Sequence, residues 1–333
     1  MQTLNQRNLN IRAETWPLVN PFQISRGSKT SAETIIVEIH EGNKKGRGEA
    51  VPYARYGETV ETVSASIEAV EAAIRNGLSR DALSEAMLPG AARSAIDCAL
   101  WDLECKQNQT PIATLLNLPP LKPLTTAFTL SLDSPSHMAK AAREAEDYSL
   151  IKIKLGARDG IKADIDRLEA VRAVLPSHKL IADINEGWSL DALEQFAHHL
   201  KSFKLTMIEQ PLAARDEDKL DQFDLPFCAD ESLHDCASFY DLAAGYQWVN
   251  IKLDKTGGLT EALKLVSLAR EQNKKIMVGC MVASSLAMAP AFILGQLADL
   301  VDLDGPLWLT QDCAHGLTYQ TDIVQPPSQD LWG

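Results

Sequence analysis

The sequence predicts an α/β protein: a barrel of parallel strands preceded by a smaller α+β unit. Three observations carry this reading. From Thr125 onward, short β-prone runs alternate with amphipathic helical stretches. Before about residue 115 that rhythm is missing, and a hairpin pattern is followed by helices. Three successive runs also end on an acid: Asp183 in LIADIN, Glu209 in MIEQP and Asp230 in FCADES. In a parallel barrel, strand ends converge at the C-terminal mouth, where such barrels keep their active sites.

The elements follow in order. SAETIIVEI and GRGEA bracket the turn EGNKKG as a β-hairpin. ETVETVSASIEAVEAAI and GAARSAIDCALWDLECK read as helices, and the second sets Ala95, Cys98, Ala99, Trp101 and Asp102 at helical spacing. The proline-rich PIATLLNLPPLKPL reads as the crossing into the second unit. The β-prone runs are then TTAFTLSL, LIKIKLG, LIADIN, TMIEQP, FCADES, WVNIKLDK, KIMVGCM and LVDLDGP. IDRLEAVRAVL, LDALEQFAHHL and EALKLVSLAREQ supply helices between them, with Ser189 as N-cap of the second. The pattern is that of a (β/α)8-type barrel. A short proline-containing tail follows the last strand and is expected to return to the first unit.

Composition narrows the partners. A chain of 333 residues can bury a large core, and 45% hydrophobic with 23% charged residues is the balance of a soluble globular protein. The net charge of −13 argues against nucleic acid or an anionic membrane surface as partner. An anionic small substrate stays open, because a metal and lysines can make one pocket locally positive. The N-terminal stretch MQTLNQRNLNIRAETW has no apolar signal-like core, so a cytoplasmic protein is expected. VASSLAMAPAFILGQLADLV, interrupted by Pro290, Gln296 and Asp299, reads as a buried helix and the next strand rather than a membrane span. The six cysteines form no CxxC pair and read mostly as reduced core residues.

LIKIKLG alternates strictly, which puts Lys152 and Lys154 on one face. Alone, the run fits an edge strand with its lysines in water. In a barrel the outer face is covered by helices, so the lysines point inward. There a second lysine and a metal would lower a lysine's pKa and make it a base. Asp183, Glu209 and Asp230 each read singly as a loop residue. Together they would repel one another, and a hard cation such as Mg²⁺ is the remedy. Asn185 and Glu231 are expected to support the trio.

Lys252 ends the sixth strand, opposite the second in a ring of eight, though alone it also fits a surface position. Lys154 and Lys252 would then flank one carbon, one removing a proton and the other returning it. Asp254 shares the Lys252 face as a candidate partner. In DLDGP, Asp302 and Asp304 share a face and suit a substrate ammonium, with turn chemistry before Gly305-Pro306 competing for Asp304. Arg26, in PFQISRGS, sits in a loop able to fold over the mouth and meet a carboxylate, or to stand exposed. The diglycine of DKTGGLTEA reads as a tight turn, and the seven histidines show no paired ligand spacing.

The ordered set KIK, DIN, IEQP, ADES, NIKLDKTGG and DLDGP resembles the enolase superfamily, in its muconate lactonising subgroup. Within it the chain is most similar to dipeptide epimerases of the L-Ala-D/L-Glu type. PFQISRG, VPYARYGE and AARSAIDCALWDL extend the likeness across nearly the whole length. The resemblance implies a modified TIM barrel, (β/α)7β, with an N-terminal α+β capping domain over residues 1–118, the barrel over 119–310 and a returning tail over 311–333. It implies Asp183, Glu209 and Asp230 as Mg²⁺ ligands, Lys154 and Lys252 as acid/base pair, and Lys152 as electrostatic stabiliser of an enediolate. It implies Asp302 and Asp304 for the dipeptide's amine, with Thr129, Arg26 and Cys280 as further substrate contacts. The loops near 16–30 and 51–58 would set specificity. The implied partner is a small dipeptide from murein peptide metabolism, and a homo-oligomer is left open. Muconate cycloisomerase or o-succinylbenzoate synthase chemistry is the alternative on this scaffold, disfavoured because two aspartates would repel a dianion without an amine. Another L-Ala-X dipeptide is the other alternative. Acid-sugar dehydration would need a strand-seven histidine where KIMVGCM offers Cys280 and Met281.

Overall fold

The computed structural model describes residues 6–333. The chain opens with an antiparallel sheet of β1 (Asn8–Ile24), β2 (Gly27–Glu41) and β3 (Lys44–Ala50). The β2–β3 turn falls in EGNKKG, with Gly42 at φ 60°, so the expected hairpin forms there. Helices α1 (Val60–Glu68), α2 (Glu71–Arg75), α3 (Arg80–Ala86) and α4 (Ala91–Asn108) cover one face of this sheet. The run expected as one helix over ETVETVSASIEAVEAAI is two, because the backbone tightens at Val70 into an i→i+3 bond to Ile67. In α4 the small Ala95 and Ala99 let β3 approach closely: a Cβ on Gly48 would lie 2.1 Å from the Ala95 carbonyl.

A short helix α5 (Ile112–Leu115) leads to β4 (Leu124–Thr125) and then to eight parallel strands in sequential order. They are β5 (Phe128–Leu130), β6 (Leu150–Lys154), β7 (Lys179–Asp183), β8 (Met207–Glu209), β9 (Phe227–Ala229), β10 (Tyr246–Ile251), β11 (Lys275–Gly279) and β12 (Leu300–Asp302). A parallel bridge from Thr126 to Val301 joins the two ends of the sheet and closes the barrel. Helices α6 (Pro135–Glu144), α7 (Ile161–Val174), α8 (Leu190–Ser202), α9 (Cys236–Phe239), α10 (Leu253–Thr256), α11 (Leu259–Glu271) and α12 (Ser285–Gly295) lie between the strands. Ser189 caps α8 as expected, accepting from the Ala192 amide at 3.2 Å.

The run TTAFTLSL is not one strand. Its first part, β4, joins a separate sheet with β13 (Tyr319–Gln320) and β14 (Ile323–Val324). The C-terminal tail continues to the first sheet and α4. The Trp332 indole donates to the Cys98 carbonyl at 3.1 Å, and the Gly333 amide to Asp102 at 2.8 Å. Within the apolar run VASSLAMAPAFILGQLADLV, SLAMAPAFILG is the fully buried helix α12, and no helix among the described residues is long and apolar enough to cross a membrane.

Two-residue alternation layers the barrel interior. At the bottom, Ala127, Leu150, Ile181, Met207, Cys228, Trp248 and Met277 make an apolar plug. Two residues further along, the same strands deliver Lys152, Asp183, Glu209, Asp230 and Asn250. The dry floor is thus set by the same period that aims the charges upward.

Candidate active site

A cavity of about 500 Å³ lies over the barrel mouth, roofed by the β1–β2 hairpin and the 51–56 loop. Its barrel side carries Lys152, Lys154, Asp230, Lys252, Asp302 and Asp304, with Thr129 and Cys280 beside them. Arg26 reaches it from the hairpin tip. Asp183 and Glu209 lie deeper, fully buried behind the lysines.

Register explains the cluster. Lys154 pairs with Asp183 across β6 and β7, and Asp183 with Glu209 across β7 and β8. Lys154 Nζ donates to Asp183 Oδ2 at 2.5 Å. Lys152 Nζ lies 2.8 Å from Glu209, 3.1 Å from Asp183 and 2.8 Å from Asp302. Lys252 Nζ donates to Asp230 Oδ2 at 2.6 Å. Lys154 and Lys252 arrive from the ends of β6 and β10, four places apart in the ring of eight, and border one cavity.

Two of the lysines, Lys152 and Lys252, shift the other way from the sequence expectation, which places a metal among the acids. Burial disfavours the charged form, but Asp302, Glu209 and Asp183 together hold Lys152 well above its ordinary value. Asp230 does the same for Lys252 against the same desolvation. The acids reach the ammonium groups directly, and this outweighs both burial and the neighbouring lysine.

The acids divide by partner. Burial raises Asp183, yet Lys154 and Lys152 pull it below the usual carboxylate range. Asp230 is lowered as well, because Lys252 and Lys255 overcome its burial. Glu209 is pushed up to about 8, by burial first and then by the Asp183 carboxylate. Its Oε1 accepts from the Asn250 amide at 2.8 Å. Its Oε2 lies beside the Lys152 ammonium but receives no hydrogen bond of acceptable angle. Gly279 makes room for Asn250: a Cβ there would meet the Asn250 Oδ1 at 2.6 Å.

Among the described residues, no three acidic, histidine or cysteine side chains converge as a ready-made ligand set, since lysines stand among the trio. The donor chemistry nonetheless suits a hard cation. Three buried carboxylates come from the ends of adjacent strands, and Glu209 Oε2 is buried there without a hydrogen-bond donor.

Asp302 and Asp304 reach the cavity by different routes. β12 ends at Asp302, and Asp304 starts a 3₁₀ turn, so one strand face does not carry both. Asp302 Oδ2 accepts from Lys152 at 2.8 Å, while its Oδ1 is buried without a partner. Asp304 Oδ2 accepts from the Thr129 amide at 2.8 Å and the Trp308 indole at 3.3 Å. Burial, then Asp302, raises Asp304 to about 6. Cys280 is a neutral wall, its thiol raised by burial and the two aspartates.

Two comparisons of sequence and one of structure bear on this site. Residues 6–117 match the model for "Mandelate racemase / muconate lactonizing enzyme, N-terminal domain", and residues 136–329 match "Enolase C-terminal domain-like". The chain belongs to this enolase-superfamily family, and it is an isomerase. It is 40% identical over 319 residues to the L-Ala-D/L-Glu epimerase of Escherichia coli K12, covering 95% of this chain and 98% of that one. It is 41% identical over 303 residues to the N-acetyl-D-glutamate racemase of a Pseudoalteromonas species, covering 90% and 95%. A solved enolase family member from Agrobacterium tumefaciens, described as homologous to dipeptide epimerases with bound sodium and L-Ala-L-Glu, superposes with TM-score 0.95 at 43% identity, over 98% and 100% of the two chains.

Two sequence readings change in this site. Asp254 does not pair with Lys252; it accepts from the Val51 amide at 2.7 Å, between the β3 end and the barrel. The chain turns helical at Leu253, so strand alternation stops predicting its direction. Arg26 does meet carboxylates, but they are the protein's own Glu231 at 2.8 Å and Glu186 at 3.4 Å. Asn185 and Glu231 do join, with Asn185 Nδ2 donating to Glu231 at 3.1 Å and its amide to Asp183 at 3.1 Å. Lys255 was missed. It is fully buried, its pKa lowered by burial, and it holds Asp230 Oδ1 at 2.5 Å. The only signal was a second lysine one short turn after Lys252.

Proposed function

We propose that the protein is a Mg²⁺-dependent dipeptide epimerase. It inverts the α-carbon of the C-terminal residue of L-Ala-D/L-Glu by a two-base proton transfer. The supporting observation is that Lys154 and Lys252 enter one cavity from strands four apart, with the acid trio between them. Asp183, Glu209 and Asp230 would hold the metal. Bound there, Mg²⁺ would withdraw electron density from the substrate carboxylate and make the α-proton more acidic.

The side chains do the rest. One lysine takes the proton from one face, and the opposite ammonium gives one back on the other. Lys152 adds positive field where negative charge develops. Asp302, with a buried Oδ1 free to accept, takes the substrate ammonium, and Asp304 and Thr129 hold the aspartate side of the cavity. Arg26 stands at the roof, where an acidic substrate side chain would end. We divide the chain accordingly into the cap over 1–118, the barrel over 119–310 and the tail. All six cysteines are unpaired, which suits the cytoplasm.

The 41% identical racemase raises N-acetyl-glutamate as a second substrate. That molecule offers no cation to Asp302, so the dipeptide is favoured. Incubation with Mg²⁺ in D₂O should place deuterium at the α-carbon of L-Ala-L-Glu and L-Ala-D-Glu, read by mass. N-acetyl-glutamate should label more slowly, and Asp302→Asn should cost the dipeptide about 10- to 100-fold in KM, the worth of a charged hydrogen bond. No label in any Ala-Glu diastereomer would remove the proposal. Faster labelling of N-acetyl-glutamate would shift it to the racemase reading.

A further inference from the structure

We propose that Arg55, acting through Glu186, positions Arg26 for the substrate. This rests on the epimerase reading above, in which Arg26 meets the acidic side chain. Arg55 belongs to the loop after β3, and Glu186 to the loop after β7, three residues past Asp183. Their pairing is bidentate: Arg55 Nε to Glu186 Oε2 at 2.8 Å and Nη2 to Oε1 at 2.7 Å. A fork on a carboxylate fixes both orientation and distance. It is a contact between the roof and the barrel.

Glu186 has little freedom to turn elsewhere. It is at φ 64°, and Asn185 before it is at φ 47°, so two successive non-glycine residues sit in the left-handed region. The Glu186 amide donates to the Gln210 carbonyl at 2.8 Å. The next residue, Gly187, is pressed against Gly156, where a Cβ would meet the Gly156 carbonyl oxygen at 2.4 Å. The backbone therefore aims the Glu186 carboxylate at the roof.

That carboxylate stands between two arginines. Arg26 is bound at 2.8 Å by Glu231, at 2.8 Å by the Asn185 carbonyl and at 3.0 Å by the Tyr53 hydroxyl, but its approach to Glu186 is 3.4 Å. Arg55 occupies both oxygens of Glu186 and so limits its hold on Arg26. Without Arg55, Glu186 becomes a full competitor for the Arg26 guanidinium, and the substrate carboxylate loses to it. Arg55 is thus a positioning residue and need not touch the substrate.

Exchange kinetics on the full-length enzyme test this. Arg55→Ala should raise KM for L-Ala-L-Glu about tenfold, the scale of one charge-assisted contact, with kcat changed less than about threefold. An L-Ala-X dipeptide with an apolar X should show no such split. Adding Glu186→Gln to Arg55→Ala removes the competitor and should restore most of the KM. A KM loss that Glu186→Gln fails to restore would mean that Arg55 meets the substrate itself, and would overturn the proposal. An unchanged KM in Arg55→Ala would overturn it too. If the wild-type enzyme exchanges no Ala-Glu substrate, the functional reading fails on its own. Amide hydrogen exchange of the resting protein then decides: Arg55→Ala should loosen residues 22–30 and 51–58, and unchanged protection there would overturn the clasp.

Discussion

The barrel mouth and the roof over it hold charge in opposite ways. At the mouth, Lys152, Asp183, Glu209 and Lys252 stand on or next to strands, and no member exceeds 5% exposure. At the roof, Arg26 and Arg55 stand on loops, with side chains 27% and 43% exposed. Buried pairs have no water to replace a lost partner, so removing one side is costly. Exposed pairs are screened and individually weak. The chemistry is therefore built where geometry is stiff, and selection where it can be retuned at small cost in stability.

The largest test of that contrast is at the proposed bases. Lys154→Ala and Lys252→Ala should each lower epimerisation about 10²- to 10⁴-fold, the usual worth of a positioned acid or base. Deuterium uptake measured separately from each diastereomer checks it. If either variant kept wild-type rates on both, the two-sided geometry would not be the reaction's origin.

Lys255 comes next. Replacing it with methionine leaves Asp230 with one fewer buried cation, and should destabilise the fold by about 3–5 kcal/mol. Urea denaturation without added metal measures this. A loss as small as that of an exposed pair would erase the distinction between mouth and roof.

Asp254, at the seam between the two regions, gives a pH signature. Burial raises its carboxyl to about 7 in the folded protein from an ordinary 3.8. Between those values the folded state binds the extra proton, so this residue's contribution to stability falls as pH rises through the window. Asp254→Asn keeps an oxygen for the Val51 amide and removes the titration. The variant should gain on the wild type between pH 5 and pH 8, measured by denaturation at both. A difference independent of pH would mean that Asp254 is ionised throughout.

The smallest effect belongs to the outer surface. Lys162 and Asp166 pair at 3.4 Å on α7 with the lysine 80% exposed. Lys162→Ala should change stability by no more than about 0.5 kcal/mol. A larger loss would show that exposure is a poor guide to cost in this protein.

The sequence by itself determined the strand rhythm, the hairpin, the buried helix α12 and the acids and lysines at strand ends. These follow from local periodicity, and period two reports which residues share a face whatever surrounds them. It lost the partner of Asp254, and the route by which Asp304 reaches the cavity, where the backbone left the strand, because alternation ends with it. It missed Lys255, whose role depends on how a four-residue helix folds back onto Asp230. Only the tertiary structure decided which cation meets which acid, and hence that the acids outweigh burial at Lys152 and Lys252. It also decided that Arg26 is held by Glu231 and Glu186, residues 205 and 160 positions away. Charge interactions depend on distance through space and on local burial, and neither is written in the order of residues.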